Sequence, residues 1–119
     1  MTKGAIVHIE IPSRNEKESA DFYRQLFGWK IEHDEQMNYT MWDPQDGPGG
    51  GFTTLSETVK PGEVMIYIES QDIEADLKKA ASLGGKIVQA KSEIPNTGWF
   101  AMFKDPSGNT IALYTSMNP

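Results

Sequence analysis

Val7-His8-Ile9-Glu10-Ile11 and, later in the chain, Val64-Met65-Ile66-Tyr67-Ile68 are the stretches whose reading decides the fold. In the first, set within residues 5–11, Val7, Ile9 and Ile11 share one face of an extended chain while His8 and Glu10 share the other. That is the period-two signature of a half-buried strand. The second, within residues 63–68, repeats the pattern. After each strand a helix is expected, then a glycine, then more strands. Ser13 stands where a helix cap would, with Glu16 three residues on as in a capping box, and Phe22, Tyr23, Leu26 and Phe27 supply an apolar stripe before Gly28. Asp72 caps the second helix, whose Ile73, Leu77, Ala80 and Ala81 fall on one face before Gly84.

The strands that follow also correspond. Trp29 to His33, Asn38 to Trp42 and Phe52 to Leu55 in the first half face Lys86 to Val88, Trp99 to Phe103 and Thr110 to Tyr114 in the second. FGWKI at 27–31 aligns with LGGKI at 83–87, and Met41-Trp42-Asp43-Pro44 with Phe103-Lys104-Asp105-Pro106 after a one-residue slip. The reading is therefore a single α+β domain over residues 1–119. It comprises two βαβββ units, approximately 4–55 and 63–116, joined by the polar linker 56–62 (SETVKPG). Units of about 55 residues are too small for a comfortable core, so the two are expected to pair, forming a curved mixed sheet around a central cavity.

Composition narrows the function. The 119 residues contain no cysteine, which excludes disulfides, thiolate nucleophiles, thiolate zinc sites and iron–sulfur clusters, and suits a reducing cytoplasm. Seventeen acids against eleven bases give a net charge of −6, unsuited to a phosphate backbone, so no nucleic-acid partner is expected. No apolar run reaches the roughly 18 residues of a membrane helix. Residues 1–4 lead into a strand pattern and not a signal peptide, so the expectation is a soluble cytoplasmic protein without a membrane partner.

His8 in VHIEIP, Phe22-Tyr23 followed by Leu26-Phe27-Gly28-Trp29, and the closing block from Gly98 to Asn109 (GWFAMFKDPSGN) together carry a resemblance. Over nearly its whole length the chain resembles the vicinal oxygen chelate superfamily, which includes glyoxalase I, bleomycin-resistance proteins and extradiol dioxygenases. It looks nearest to the uncharacterised group related to lactoylglutathione lyase. The resemblance implies a glyoxalase/bleomycin resistance-like fold and a homodimer, since small members complete their cavities across a dimer interface. It also implies where a metal would be held: by a histidine early in the first strand of each unit and a glutamate or similar residue in the last strand of each. Here His8 matches, but its counterpart is Met65, the last-strand position is Ala112, and residues 50–53 offer no donor. A thioether and a methyl do not replace imidazole and carboxylate for a divalent ion. No cofactor is expected. A divalent metal through His8 would have only Glu10 beside it.

Candidate site residues follow from the face that His8 defines. His8 could serve as a general base, with Glu10, about 7 Å along the strand, supporting it. The structural alternative is a histidine hydrogen-bonded in the interior. Trp42, Met65, Tyr67, Trp99 and Phe100 are candidate ligand-binding residues, as flat rings and a thioether suited to a small hydrophobic or aromatic molecule. His33, among charges in HDEQ, is expected at the surface. Gly47-Pro48-Gly49-Gly50-Gly51 lacks the Lys-Ser/Thr of a phosphate loop and is expected to be a mobile turn at a cavity mouth. Two functions remain open: a lyase- or isomerase-type proton transfer based on His8, and non-catalytic ligand sequestration of the bleomycin-resistance type. A metal-dependent lyase or dioxygenase is a third.

Overall fold

The computed structural model describes residues 2–117, leaving Met1 of the N-terminal lead-in, Asn118 and Pro119 outside the described residues. Ten elements run in the order β1 (Ile6–Ser13), α1 (Glu16–Phe27), β2 (Lys30–Asp34), β3 (Tyr39–Asp43), β4 (Gly50–Thr54), β5 (Met65–Glu69), α2 (Ile73–Ser82), β6 (Lys86–Ile94), β7 (Gly98–Lys104) and β8 (Thr110–Ser116). The order is βαβββ twice. The chain forms two compact units, one of residues 8–65 and the other of residues 66–117 with the segment up to Val7. Both are α+β. No helix among the described residues is long and apolar enough to cross a membrane.

In the first unit the strand order is β2-β3-β4-β1, with β1 parallel to β4 and the other neighbours antiparallel. Ala20, Ile31, Trp42 and Phe52 form its core, with Ile9, Ile11, Tyr23 and Trp29 packed against them. Trp29 stacks on Trp42 at 4.4 Å and on Tyr23 at 4.9 Å between ring centroids, so α1 is pinned by a pile of rings. The second unit has the order β5-β8-β7-β6, with β5 parallel to β8. Its core is Ile73, Leu77, Ala101 and Leu113, joined by Ile68, Trp99 and Phe103.

Local chemistry repeats in both units. A buried serine closes β1 (Ser13) and one directly follows β5 (Ser70), and each hydroxyl bonds a side chain six residues on: Ser19 Oγ at 2.6 Å and Asp76 Oδ2 at 2.6 Å. Two residues after each serine stands the N-cap. Asp72 accepts from the Ala75 N–H as expected, but in the first unit the cap is Asn15, accepting from the Glu18 N–H at 2.9 Å, and not Ser13. Ser13 is still strand. Asp43 and Asp105, each followed by proline, accept the N–H two residues on, from Gln45 and Ser107. Gly28 ends α1 in the left-handed region, φ 72°, and returns its N–H to Arg24 O at 2.8 Å.

Three expectations are corrected. Phe22, Leu26 and Phe27 are each close to 60 % exposed, and α1 turns Ala20 and Tyr23 to the core instead. On α2, Ile73 and Leu77 are buried, but Ala81 is exposed. Gly50 and Gly51, expected in a mobile turn, are buried strand residues of β4. In addition, β6 runs six residues past Val88, through the mostly polar QAKSEI, none of it buried, with a pairing irregularity between Gln89 and Ser92.

Candidate functional site

Alternation along β1 sends Ile9 and Ile11 to the core under α1 and therefore His8 and Glu10 to the opposite face of the sheet. Parallel pairing sets Gly51 of β4 beside Glu10, and antiparallel pairing sets Met41 of β3 beside Gly51. Tyr39, two residues before Met41, shares that face. Its phenol reaches both β1 side chains: His8 Nε2 lies 2.7 Å from Tyr39 Oη, and Tyr39 Oη donates to Glu10 Oε2 at 2.7 Å. The rings of His8 and Tyr39 have centroids 6.0 Å apart. Three half-buried groups thus form one hydrogen-bonded chain across the sheet.

Two glycines make room for it. A Cβ on Gly51 would stand 2.1 Å from the Tyr39 ring, and one on Gly50 would stand 1.7 Å from Ile9 O and 2.6 Å from the Trp42 ring. Adjacent residues of β4 therefore seat two rings on opposite faces. Burial lowers the pKa of His8, while the negative charge of Glu10 pulls it the other way and is the smaller effect. The imidazole consequently favours its neutral form at neutral pH.

The other candidates separate by face. Trp42 is buried in the first unit's core, its Nε1–H donating to Gly51 O at 3.1 Å, on the face opposite His8 and Glu10. Trp99 packs with Ala101 and Phe103 on the α2 side of the second unit, with Lys91 Nζ 5.2 Å from its ring centre. Tyr67 and Phe100 lie on the helix-free face of that unit, Tyr67 of β5 paired with Ala112 of β8 and Phe100 of β7 with Tyr114 of β8, and both are half-buried. Met65, half-buried, opens β5 and ends the first unit. His33 is exposed, as expected, with Nδ1 2.9 Å from Thr40 Oγ1. Tyr39 is the residue that sequence reasoning missed. Its parity opposite Trp42, together with two successive glycines in the neighbouring strand, was the signal available.

The donor set does not fit a catalytic divalent metal. Such a site needs about three protein ligands. The pairing register puts Gly51 beside Glu10 in one unit and Ala112 beside Tyr67 in the other, and neither carries a donor atom in its side chain. Among the described residues no three His, Cys, Asp or Glu side chains group to hold an ion.

Comparison with known proteins agrees with this architecture. The anthracycline biosynthesis protein DauV of Streptomyces sp. (strain C5) is 25% identical over 93% of the chain and 46% of its own length, so the chain spans about half of this relative. Methylmalonyl-CoA epimerase from Mycobacterium tuberculosis superposes with a TM-score of 0.68 at 14% identity, over 92% of this chain and 86% of that one. A glyoxalase/bleomycin resistance protein/dioxygenase superfamily member from Vibrio splendidus 12B01 does so at 0.65 and 16%, over 92% and 96%. Residues 5–113 match the family described as the Glyoxalase/Bleomycin resistance protein/Dioxygenase superfamily, and the chain belongs to that superfamily.

Proposed function

We propose that this protein binds a small, partly apolar carbon acid and moves a proton on it without a metal, with His8 as the base. The observation that carries the reading is the His8–Tyr39–Glu10 chain, in which burial favours a neutral imidazole and a phenol and a carboxylate orient it. A proton acceptor held by a phenol that a carboxylate in turn holds suits an isomerase or lyase step that begins by removing a proton beside a carbonyl. Solved structures similar in fold include an enzyme named for epimerising an acyl-CoA thioester, which makes such thioesters a reasonable first probe.

The test is exchange of carbon-bound hydrogen for deuterium in D2O, followed by proton NMR, across acyl-CoA thioesters and 2-oxo acids. Wild-type protein is expected to exchange at least one of them, and His8→Gln to slow that exchange by about 10²- to 10⁴-fold. Exchange that survives His8→Gln overturns the reading. Saturable binding of a compound with no exchange also overturns it, in favour of ligand sequestration.

A further inference from the structure

We propose that Tyr39, seated over Gly51, fixes the tautomer of His8 so that Nδ1 is the basic nitrogen of the site. A phenol has a single proton to give. The Tyr39 hydroxyl donates to Glu10 Oε2, and an ionised carboxylate only accepts, so that proton is committed. The contact between the phenol oxygen and His8 Nε2, at 2.7 Å, must then have Nε2–H as donor. In a neutral imidazole one nitrogen carries the proton and the other the lone pair, which places the lone pair on Nδ1. The carboxylate thus acts on the imidazole through the phenol, one residue removed.

Gly51 is what allows this. The position its Cβ would take lies 2.1 Å from both Cζ and Oη of Tyr39, so a side chain there would occupy the space of the phenol head itself. Three strands converge on the arrangement: β1 brings His8 and Glu10, β3 brings Tyr39, and β4, paired with both, brings the glycine. Trp42, on the opposite face of β3, is seated in the same way by Gly50 and stacked on Trp29, which fixes the strand that carries Tyr39. Tyr39 and Gly51 are accordingly positioning residues. Their purpose rests on the reading of His8 as a proton acceptor, but the tautomer itself can be observed without any substrate.

The experiment is long-range proton–nitrogen correlation NMR on ¹⁵N-histidine-labelled protein, at a pH where His8 is neutral. Wild type should show a single tautomer with the proton on Nε2. Tyr39→Phe should lose that preference and give a mixed population, and Gly51→Ala should give a spectrum like that of Tyr39→Phe. Since Gly51→Ala puts a methyl into the ring's place, its urea stability is compared in two backgrounds. It should be strongly destabilising beside Tyr39 and nearly neutral beside Tyr39→Ala. A wild-type proton on Nδ1, a Tyr39→Phe spectrum unchanged from wild type, or an equal cost of Gly51→Ala in both backgrounds each overturns the assignment. An Nε2–H tautomer in a protein that exchanges no carbon-bound hydrogen would refute the proton-transfer function alone and leave this inference standing.

Discussion

At His8, burial and charge act in opposite directions, and burial wins. Its folded pKa lies below the ordinary value of 6.5, so in the window just beneath 6.5 the unfolded chain binds a proton that the native protein does not. Native stability is therefore complete above 6.5 and falls as the pH drops through that window. Thermal melts at a series of pH values should show this decline in the wild type and a shallower one in His8→Gln. Identical slopes would refute the burial account. Glycine positions in the same unit separate two kinds of cost. Gly50→Ala drives a methyl against Ile9 O and the Trp42 ring, where backbone and a stacked side chain must both move, and should cost about 3 kcal/mol or more in urea titration. Gly28→Ala meets nothing within 4 Å but keeps a left-handed φ of 72°, and should cost only about 1–2 kcal/mol.

Among the elements, the two helices show why one start was legible and the other was displaced. Asp72 was readable because Ser70, two residues before it, has Ile73 three residues on, so no capping box competes there. In the first unit Ser13 with Glu16 imitates a capping box, while Asn15 with Glu18 has the same spacing two residues later, and Ser13 is held in β1 by burial and its bond to Ser19. The consequence is measurable: Asn15→Ala and Asp72→Ala should each lose about 1 kcal/mol, whereas Glu16→Gln should stay within about 0.5 kcal/mol. A larger loss at Glu16 than at Asn15, measured by urea midpoint, would restore the earlier cap. The α1 stripe was misjudged for a related reason. Ala20, too small to register in an apolar pattern, takes the core position beside Tyr23, and the larger Phe22, Leu26 and Phe27 stay outside. The far half of β6 escaped notice because its residues are mostly polar and none is buried, so no apolar alternation marks it.

Over the whole molecule, the repeat was legible because caps, turns and strand parity recur in order, and the face of His8 and Glu10 followed from alternation alone. Tyr39 was not legible as their partner, because that contact depends on how three strands line up and on a void at Gly51, which no single segment encodes. Trp42 and Trp99 carried bulk without parity, and the structure assigns both to core faces. What the 119 residues do state is the supply of metal donors: no cysteine and two histidines, His8 and His33. With glycine and alanine at the register positions beside Glu10 and Tyr67, the ordinary signature of a bound metal should be missing. An ion at 100 times its dissociation constant stabilises a native protein by about 2.7 kcal/mol. In a chain of this size that would raise the melting temperature by about 10 °C. Zinc, nickel or manganese added to chelator-treated protein should therefore leave the thermal midpoint unmoved, and elemental analysis after chelator-free purification should find no stoichiometric metal. A midpoint that climbs by several degrees with any of these ions, and returns on chelation, would show that ligands outside the His8 face hold one.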